Sequence, residues 1–265
     1  MYAFNYLKAQ SVADAKSKVA AAADGKLLAG GQTLIAAMKL RLAAPSDLID
    51  LGGVAELRGV KAANGELTIG AMTTHAEVAG SADMKQQIPA LAHLASQIGD
   101  RMVRHMGTLG GSIANNDPAA DYPAGLVGLG ATVVTDRRTI DADAFFTGMY
   151  ETALEPGEII TAVRFPVPQR AAYAKFANPA SRYALVGVFV AQTTDGVRVA
   201  VTGAGPVVFR VPALEAALTK RFAPEAVDGI AIGADGLNTD MHAGAEYRAH
   251  LVTVMTRRAV EVANA

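Results

Sequence analysis

Residues 27–51 read LLAGGQTLIAAMKLRLAAPSDLIDL, and this stretch predicts a strand, a helix and a second strand in immediate succession. Lys26–Ala29 forms a short apolar strand that ends at Gly30-Gly31. Leu34–Leu42 has helical spacing and ends before a proline, and Asp47–Leu51 is the next strand. Two strands joined by a helix in this way are expected to lie parallel in one sheet.

The segment before this stretch has the same order of elements. Ser11 caps a predicted helix that runs to about Ala23, and a strand precedes it. Residues 1–55 therefore predict a small βαβαβ unit.

Residues 56–166 and 167–265 form two further predicted regions, and the fold class is α+β. The first of them begins with a hairpin around Asn64-Gly65, a pair that tolerates the positive φ angles of a type I′ turn. Pro166-Val167-Pro168 is interpreted as a linker, and the region after it combines antiparallel strands with helices. The other predicted elements are helices at 74–79, 89–98, 211–218, 224–230 and 245–262 and strands at 131–135, 159–165, 173–177, 185–193 and 197–202.

The composition excludes several classes of protein. Half of the 265 residues are hydrophobic (51%), so a sizeable core is available, and a net charge of −1 argues against a nucleic-acid binder. The chain has no cysteine, which excludes disulfides, thiol nucleophiles, cysteine-ligated zinc and an iron–sulfur cluster held by this chain. We see no export signal at the N-terminus and no apolar stretch long enough to span a bilayer, and we expect a cytoplasmic protein.

Several motifs that would indicate a specific cofactor or catalytic mechanism are absent. There is no G-x-G-x-x-G, no Walker A, no H-E-x-x-H and no serine in a G-x-S-x-G elbow. The five histidines show no ligand spacing, so we predict no metal site. No side chain is predicted to be catalytic.

The segment Ala29-Gly30-Gly31-Gln32-Thr33 lies between a strand and a helix and is predicted to bind an anion. Backbone N–H groups in such a turn converge on an anion, and the helix N-terminus adds roughly half a positive charge. Glycine leaves the backbone open to a phosphate. Three or four charge-assisted hydrogen bonds of about 1.5–3 kcal/mol each are enough to hold a pyrophosphate without a lysine.

A second glycine-rich loop is predicted at Gly107–Ser112, GTLGGS, and IANNDPAAD follows it. Its adjacent glycines, hydroxyls and amides, with carboxylates at Asp117 and Asp121, suit a ligand that carries both phosphates and a polyol. On spacing alone, two unrelated turns are an equally good interpretation.

These blocks resemble the FAD-binding medium subunits of molybdenum hydroxylases, the family of the carbon monoxide dehydrogenase medium subunit and of the xanthine dehydrogenase flavin domain. The resemblance covers essentially the whole chain. Its blocks are LLAGGQTLIAAMKLRLAAPSDLIDL (27–51), GAMTTHAEV (70–78), IGDRMVRHMGTLGGSIANNDPAADYPA (98–124), PGEIITAVRFP (156–166), VRVAVTGAGP (197–206) and AEYRAHLVTVMTRRAV (245–260).

The resemblance implies a two-subdomain FAD-binding fold of the vanillyl-alcohol-oxidase type, residues 1–55 and 56–166, followed by a C-terminal domain of antiparallel sheet plus helices. Non-covalent FAD would lie between the two subdomains, with Asp121 accepting from sugar or ribityl hydroxyls and Tyr183 over the flavin ring. The implied binding residues are Leu27, Leu28, Ala29, Gly30, Gly31, Gln32, Thr33, Leu34, Ile98, Thr108, Leu109, Gly110, Gly111, Ser112, Asn115, Asp117, Asp121, Ile160, Lys175 and Tyr183.

The resemblance also implies an oxidoreductase made of several chains. A small subunit with two 2Fe-2S clusters and a large molybdopterin subunit would assemble with this chain, as a dimer of heterotrimers. Electrons would pass from the clusters to FAD and on to an external acceptor. Since this chain has no cysteine, the variant of the family with an extra cluster in the flavin subunit is excluded.

Two other functions stay open at this point. One is a self-contained flavin reductase or oxidase of the same FAD fold, and the other is a binding module that has lost FAD.

Overall fold

The computed structural model describes all 265 residues. The strands are β1 Asn5–Lys8, β2 Gly25–Leu28, β3 Asp47–Asp50, β4 Val60–Ala63, β5 Glu66–Gly70, β6 Thr132–Thr135, β7 Thr139–Asp141, β8 Phe146–Gly148, β9 Glu151–Thr152, β10 Ile160–Pro166, β11 Arg170–Ala177, β12 Ala184–Thr193, β13 Gly196–Thr202 and β14 Phe209–Arg210.

The helices are α1 Val12–Ala21, α2 Leu34–Lys39, α3 His75–Gly80, α4 Ala82–Gln87, α5 Pro89–Ser96, α6 Arg101–Met106, α7 Leu109–Asn115, α8 Tyr122–Leu129, α9 Ala142–Phe145, α10 Pro212–Lys220 and α11 Ala245–Ala263. Two 3₁₀ turns cover Ala55–Leu57 and Pro224–Val227. None of the helices is both long enough and apolar enough to cross a lipid bilayer.

The N-terminal sheet is parallel, in the order β1-β3-β2, with α1 and α2 as its crossover helices. The predicted succession of strand, helix, strand, helix and strand is confirmed. Helix α2 is shorter than predicted and ends at Lys39 instead of Leu42. Its end is a Schellman motif, because Leu42 N donates to Ala37 O while Arg41, with φ of 61°, occupies the left-handed position.

A five-stranded antiparallel sheet follows, in the order β4-β5-β10-β6-β7. The predicted hairpin between β4 and β5 is confirmed, with φ of 52° at Asn64 and 77° at Gly65. Helix α7 packs on β5 and β10 of this sheet, and α8 contacts β10. Helices α5 and α8 also pack on β11–β13 of the C-terminal sheet, and all of them share a core in which Leu67, Ile69 and Phe165 are fully buried.

The C-terminal sheet is antiparallel, in the order β11-β12-β13-β14. The long helix α11 packs on β11 and β12, and Val188, Val190 and Val252 are fully buried between them. The second predicted helix of this region, 224–230, is only a 3₁₀ turn, Pro224–Val227, which Asp228 ends in an extended conformation.

The structure differs from the prediction in several places, and it contains α4, α6, α9, β7, β8, β9 and β14, which the sequence does not predict. The predicted loop Gly107–Ser112 is largely helix, because the Thr108 side chain accepts from Gly111 N and caps α7. Helix α8 is not among the predicted elements. All eight of its residues are buried, so no polar face marks it as a helix in the sequence.

Candidate cofactor site

A cavity of about 680 Å³ lies among the β2–α2 turn, helix α7 and the β11–β12 turn, within the size range of small-molecule sites. All but two of the predicted binding residues line it: Leu27, Leu28, Ala29, Gly30, Gly31, Gln32, Thr33, Leu34, Ile98, Thr108, Gly110, Gly111, Ser112, Asn115, Asp117, Asp121, Ile160 and Tyr183. The two that do not are Leu109 and Lys175.

The backbone of the β2–α2 turn is unpaired. The N–H groups from Ala29 to Leu34 donate to no oxygen of the protein, and all six residues line the cavity. Ala29, Gly30, Gly31 and Leu34 are half-buried. Half-buried N–H groups are normally paired, so this run of free donors marks a place where a ligand accepts hydrogen bonds. Gly31, with φ of 71°, makes the turn possible. The donor set suits an anion with several acceptor oxygens, such as a diphosphate.

The two glycine-rich segments contact each other. A β-carbon on Gly30 would collide with the Met106 carbonyl oxygen and would lie 2.7 Å from the Gly107 Cα. A β-carbon on Gly111 would lie 3.3 Å from the Ala29 Cβ. The segments therefore form one continuous wall of one cavity, which two unrelated turns would not do.

The second segment is not a cradle of free N–H groups. Leu109 N donates to Thr73 O, Gly110 N donates to Ala71 O, and Gly111 N donates to the capping hydroxyl of Thr108. The Leu109 side chain is fully buried in the core and does not reach the cavity. The backbone of this segment lies close to the cavity. The side chains of Ser112 and Asn115 line the cavity and have no hydrogen-bond partner in the protein.

Asp121 lines the cavity but already has partners inside the protein. Its carboxylate accepts from the Tyr173 hydroxyl at 2.5 Å and from Lys175 Nζ at 2.9 Å, and all three side chains are buried. Burial raises the pKa of Asp121, and the Lys175 ammonium opposes that rise. Lys175 Nζ also donates to Gln97 O at 3.1 Å. The structure therefore places Lys175 behind the wall of the cavity, where it holds Asp121.

Tyr183 stands at the end of the cavity next to the carboxylates. Its side chain is half exposed, and its hydroxyl has no partner in the protein. Burial raises its pKa most, followed by the negative charges of Asp117 and Asp121. Asp117 Oδ1 accepts from Ala119 N and Oδ2 accepts from the Tyr150 hydroxyl.

Four titratable side chains of the cavity wall are absent from the predicted set, namely Lys26, His75, Glu158 and Arg182, and two of them, His75 and Glu158, have strongly shifted pKa values. His75 is nearly fully buried, and burial together with the positive charge of Arg104 lowers its pKa to about 4. Its Nδ1 and the hydroxyl of the adjacent Tyr122 have no partner. Glu158 is held by Arg138, whose hydrogen bonds lower its pKa to about 2. Both lie in blocks on which the resemblance rests, and that was the only sequence signal for them.

Other side chains lie outside the site. His105 is exposed on α6, with Nδ1 2.7 Å from Arg101 O, and does not line the cavity. No group of three or more His, Cys, Asp or Glu side chains is arranged to hold a metal ion.

Two family models match the chain in succession. The FAD binding domain in molybdopterin dehydrogenase matches residues 2–168. The CO dehydrogenase flavoprotein C-terminal domain matches residues 171–263.

Curated relatives match over their whole length. The chain is 37% identical to the nicotine 6-hydroxylase medium subunit of Paenarthrobacter nicotinovorans, over 99% of this chain and 98% of that protein. It is 35% identical to the carbon monoxide dehydrogenase medium chain of Afipia carboxidovorans, over 99% and 97%.

Solved structures agree with these matches. Reconstituted CO dehydrogenase from Oligotropha carboxidovorans superposes with a TM-score of 0.93 at 33% identity, over 99% of this chain and 98% of that chain. Quinoline 2-oxidoreductase from Pseudomonas putida 86 gives a TM-score of 0.88 at 28% identity, over 99% and 97%. The chain therefore belongs to the family of FAD-binding medium subunits of molybdenum hydroxylases, the carbon monoxide dehydrogenase flavoprotein family.

Proposed function

We propose that this chain holds FAD in the 680 Å³ cavity and relays electrons from the 2Fe-2S clusters of a partner chain to an external acceptor. The observation that carries the proposal is the run of free N–H groups from Ala29 to Leu34 in the cavity wall. When bound, FAD supplies the redox chemistry, and the protein supplies position and electrostatics.

The free N–H groups of the β2–α2 turn bind the diphosphate of the cofactor in this proposal. They are fixed by the sheet and by α2, so they need no rearrangement to receive it. Met106 and Gly107 pack against Gly30 and keep the turn closed from behind. The Cβ-free surface of Gly111 lets the second segment approach the same group.

The ribityl chain and the flavin ring of the cofactor would lie at the end of the cavity away from the β2–α2 turn. Ser112 and Asn115 have free polar groups there, and both can bind ribityl hydroxyls. Asp121 acts mainly through its pair with Lys175, which fixes the charge of that wall. Tyr183 covers one face of the flavin ring, and a stacked phenol is worth about 1 kcal/mol beyond its burial.

Partner chains are part of this proposal. The relatives are named as medium subunits and medium chains, and this chain has no cysteine to hold a cluster. We therefore place the 2Fe-2S clusters in a small subunit and the molybdopterin in a large subunit, as a dimer of heterotrimers. The cytoplasmic location and the division into residues 1–55, 56–166 and 167–265 stay predictions, to be tested by cell fractionation and by limited proteolysis.

Purification of the tagged chain from its native source tests the proposal. We expect a yellow complex that contains one FAD per chain, an iron–sulfur chain and a chain of molybdopterin-binding size. The isolated chain should keep FAD but should not oxidise organic substrates. A colourless chain that takes up no added FAD would contradict the proposal, and steady-state substrate oxidation by the lone chain would favour a self-contained flavin enzyme.

A further inference from the structure

A second cavity adjoins the proposed cofactor cavity at the turn between β11 and β12. We call it the arginine cavity. Its volume is about 410 Å³, and no carboxylate lines it. The lining residues are Ser96, Gln97, Gly99, Arg104, Ala177, Asn178, Pro179 and Arg182. Gly99 and Arg182 line both cavities, so the two are neighbours across a thin wall.

Two guanidinium groups face this space without an acidic partner. Arg104 Nη1 donates to the carbonyl oxygens of Ile98 and Gly99, both at 3.0 Å, which fixes the guanidinium and leaves its other N–H groups free. Arg182 makes no side-chain hydrogen bond and no salt bridge in the protein. The carboxylate of Asp100, next to Gly99, accepts from Val103 N and caps α6. Asp100 is not part of the lining, so the only charged side chains that face the cavity are the two arginines, and both are positive.

Three hydrogen bonds close the turn that carries Arg182. Asn178 Oδ1 accepts from the N–H groups of Ala180 and Ser181, and Arg182 N donates to Asn178 O. Arg182 has φ of 63°, a conformation that costs free energy for any residue other than glycine. Asn178 is 94% buried, and its Nδ2 donates to nothing in the protein, which adds a third donor to the lining.

We propose that the arginine cavity binds a phosphate-bearing small anion. The lining offers donors from two arginines and an asparagine, and the forked guanidinium matches the oxygens of a phosphate. The role of this anion site rests on the proposed function. With FAD in the neighbouring cavity, an anion bound here lies beside the cofactor, in the position expected for the charged end of a phosphorylated electron acceptor.

Titration of the FAD-loaded chain with inorganic pyrophosphate, followed by calorimetry, tests this site. FAD occupies the other anion cradle and keeps it out of the measurement. Arg182→Gln and Arg104→Gln should each weaken pyrophosphate binding about tenfold or more, since a charge-assisted hydrogen bond is lost. Arg221→Gln is the matched control, because it removes the same charge from an exposed surface site. Added salt should weaken binding by the wild-type chain.

A parallel titration with ADP distinguishes the source of the phosphate. Tighter binding of ADP than of pyrophosphate, dependent on Arg182, indicates a nucleotide, and equal affinities indicate a free phosphate. Unchanged pyrophosphate affinity in both arginine variants overturns the site. If either variant complex loses a partner subunit but binds pyrophosphate as well as the wild type, the arginines contact the partner and the site is likewise overturned. The FAD content is read separately from the visible flavin spectrum, so a chain that takes no FAD contradicts the proposed function without deciding the arginine dependence.

Discussion

Gly30 packs directly against the backbone carbonyl of Met106, so that the β2–α2 turn and the end of α6 touch with no space for a side chain between them. This contact joins the parallel N-terminal sheet to the helices of the five-stranded sheet, and the proposed diphosphate cradle lies at the junction. The cradle therefore depends on tertiary packing as well as on its own glycines.

Gly30→Ala tests that contact. The added methyl group would collide with backbone atoms of Met106 and Gly107, which cannot rotate away, so we expect a loss of about 1–3 kcal/mol in the free energy of unfolding and loss of FAD from the purified chain. Denaturant unfolding and the flavin spectrum measure both effects. Gly233→Ala is the control, because nothing lies within 4 Å of its added methyl group. A stable, yellow Gly30→Ala chain would contradict the packing.

Gly31→Ala should also impair the site, but for a different reason. The position has φ of 71°, and the added methyl group would lie 2.9 Å from Ile35 Cγ1. A left-handed alanine costs about 1–2 kcal/mol, so FAD binding should weaken roughly tenfold, or the turn should rearrange. Flavin fluorescence titration measures the affinity, and wild-type affinity in this variant would show that the turn tolerates another backbone conformation.

Much of the architecture follows from local signals, and the rest requires contacts that are remote in sequence. The βαβαβ unit and the Asn64-Gly65 hairpin are local patterns, and the sequence predicts both. Helix α8 lacks such a pattern because it is buried on every side. Leu109 and Gly110 lie in a segment that the sequence presents as a glycine-rich loop, and only the fold shows that Thr73 and Ala71 accept hydrogen bonds from their N–H groups.

His75 should make the stability of the chain depend on pH in a defined window. Its folded pKa, about 4, lies below the unfolded value of 6.5, so the unfolded chain binds the proton more readily. The contribution of His75 to the free energy of unfolding is therefore fully present above about pH 6.5. About 3 kcal/mol of it is lost as the pH drops to about 4. Denaturant unfolding at several pH values measures this slope. His75→Gln removes the titrating group and should flatten the slope between these limits, whereas equal slopes would rule out a buried neutral imidazole.

Glu158 serves as an internal check on that window. Its pKa, about 2, is lowered from 4.5, so its contribution is present above about pH 4.5 and is lost only as the pH falls towards 2. His75→Gln should leave this second, more acidic phase of destabilisation in place.

The buried pair of Lys175 and Asp121 should show strong coupling. Lys175→Met leaves a carboxylate buried without its cation and should lower the free energy of unfolding by about 3–5 kcal/mol. Asp121→Asn in the same chain removes that charge and should restore most of the loss, because an amide can still bond to Tyr173. Lys61→Met, on the exposed side of β4, is the control. Equal losses in the single and double variants would mean that the charge pair is not the source of the effect.

Tyr183 provides a test of where the flavin ring lies. If the phenol covers one face of the ring, Tyr183→Ala loses stacking worth about 1 kcal/mol plus the buried area, and FAD affinity should fall about tenfold. Tyr183→Phe keeps the ring and should bind FAD nearly as well as the wild-type chain, with altered quenching of flavin fluorescence as the spectroscopic readout. Tyr247→Ala removes a similarly exposed tyrosine that packs on Phe176 and not on the cavity, and it should leave both readouts unchanged. Equal affinity and fluorescence in Tyr183→Ala and the wild-type chain would place the ring elsewhere in the cavity, since a stacked aromatic cannot be removed without an effect on both.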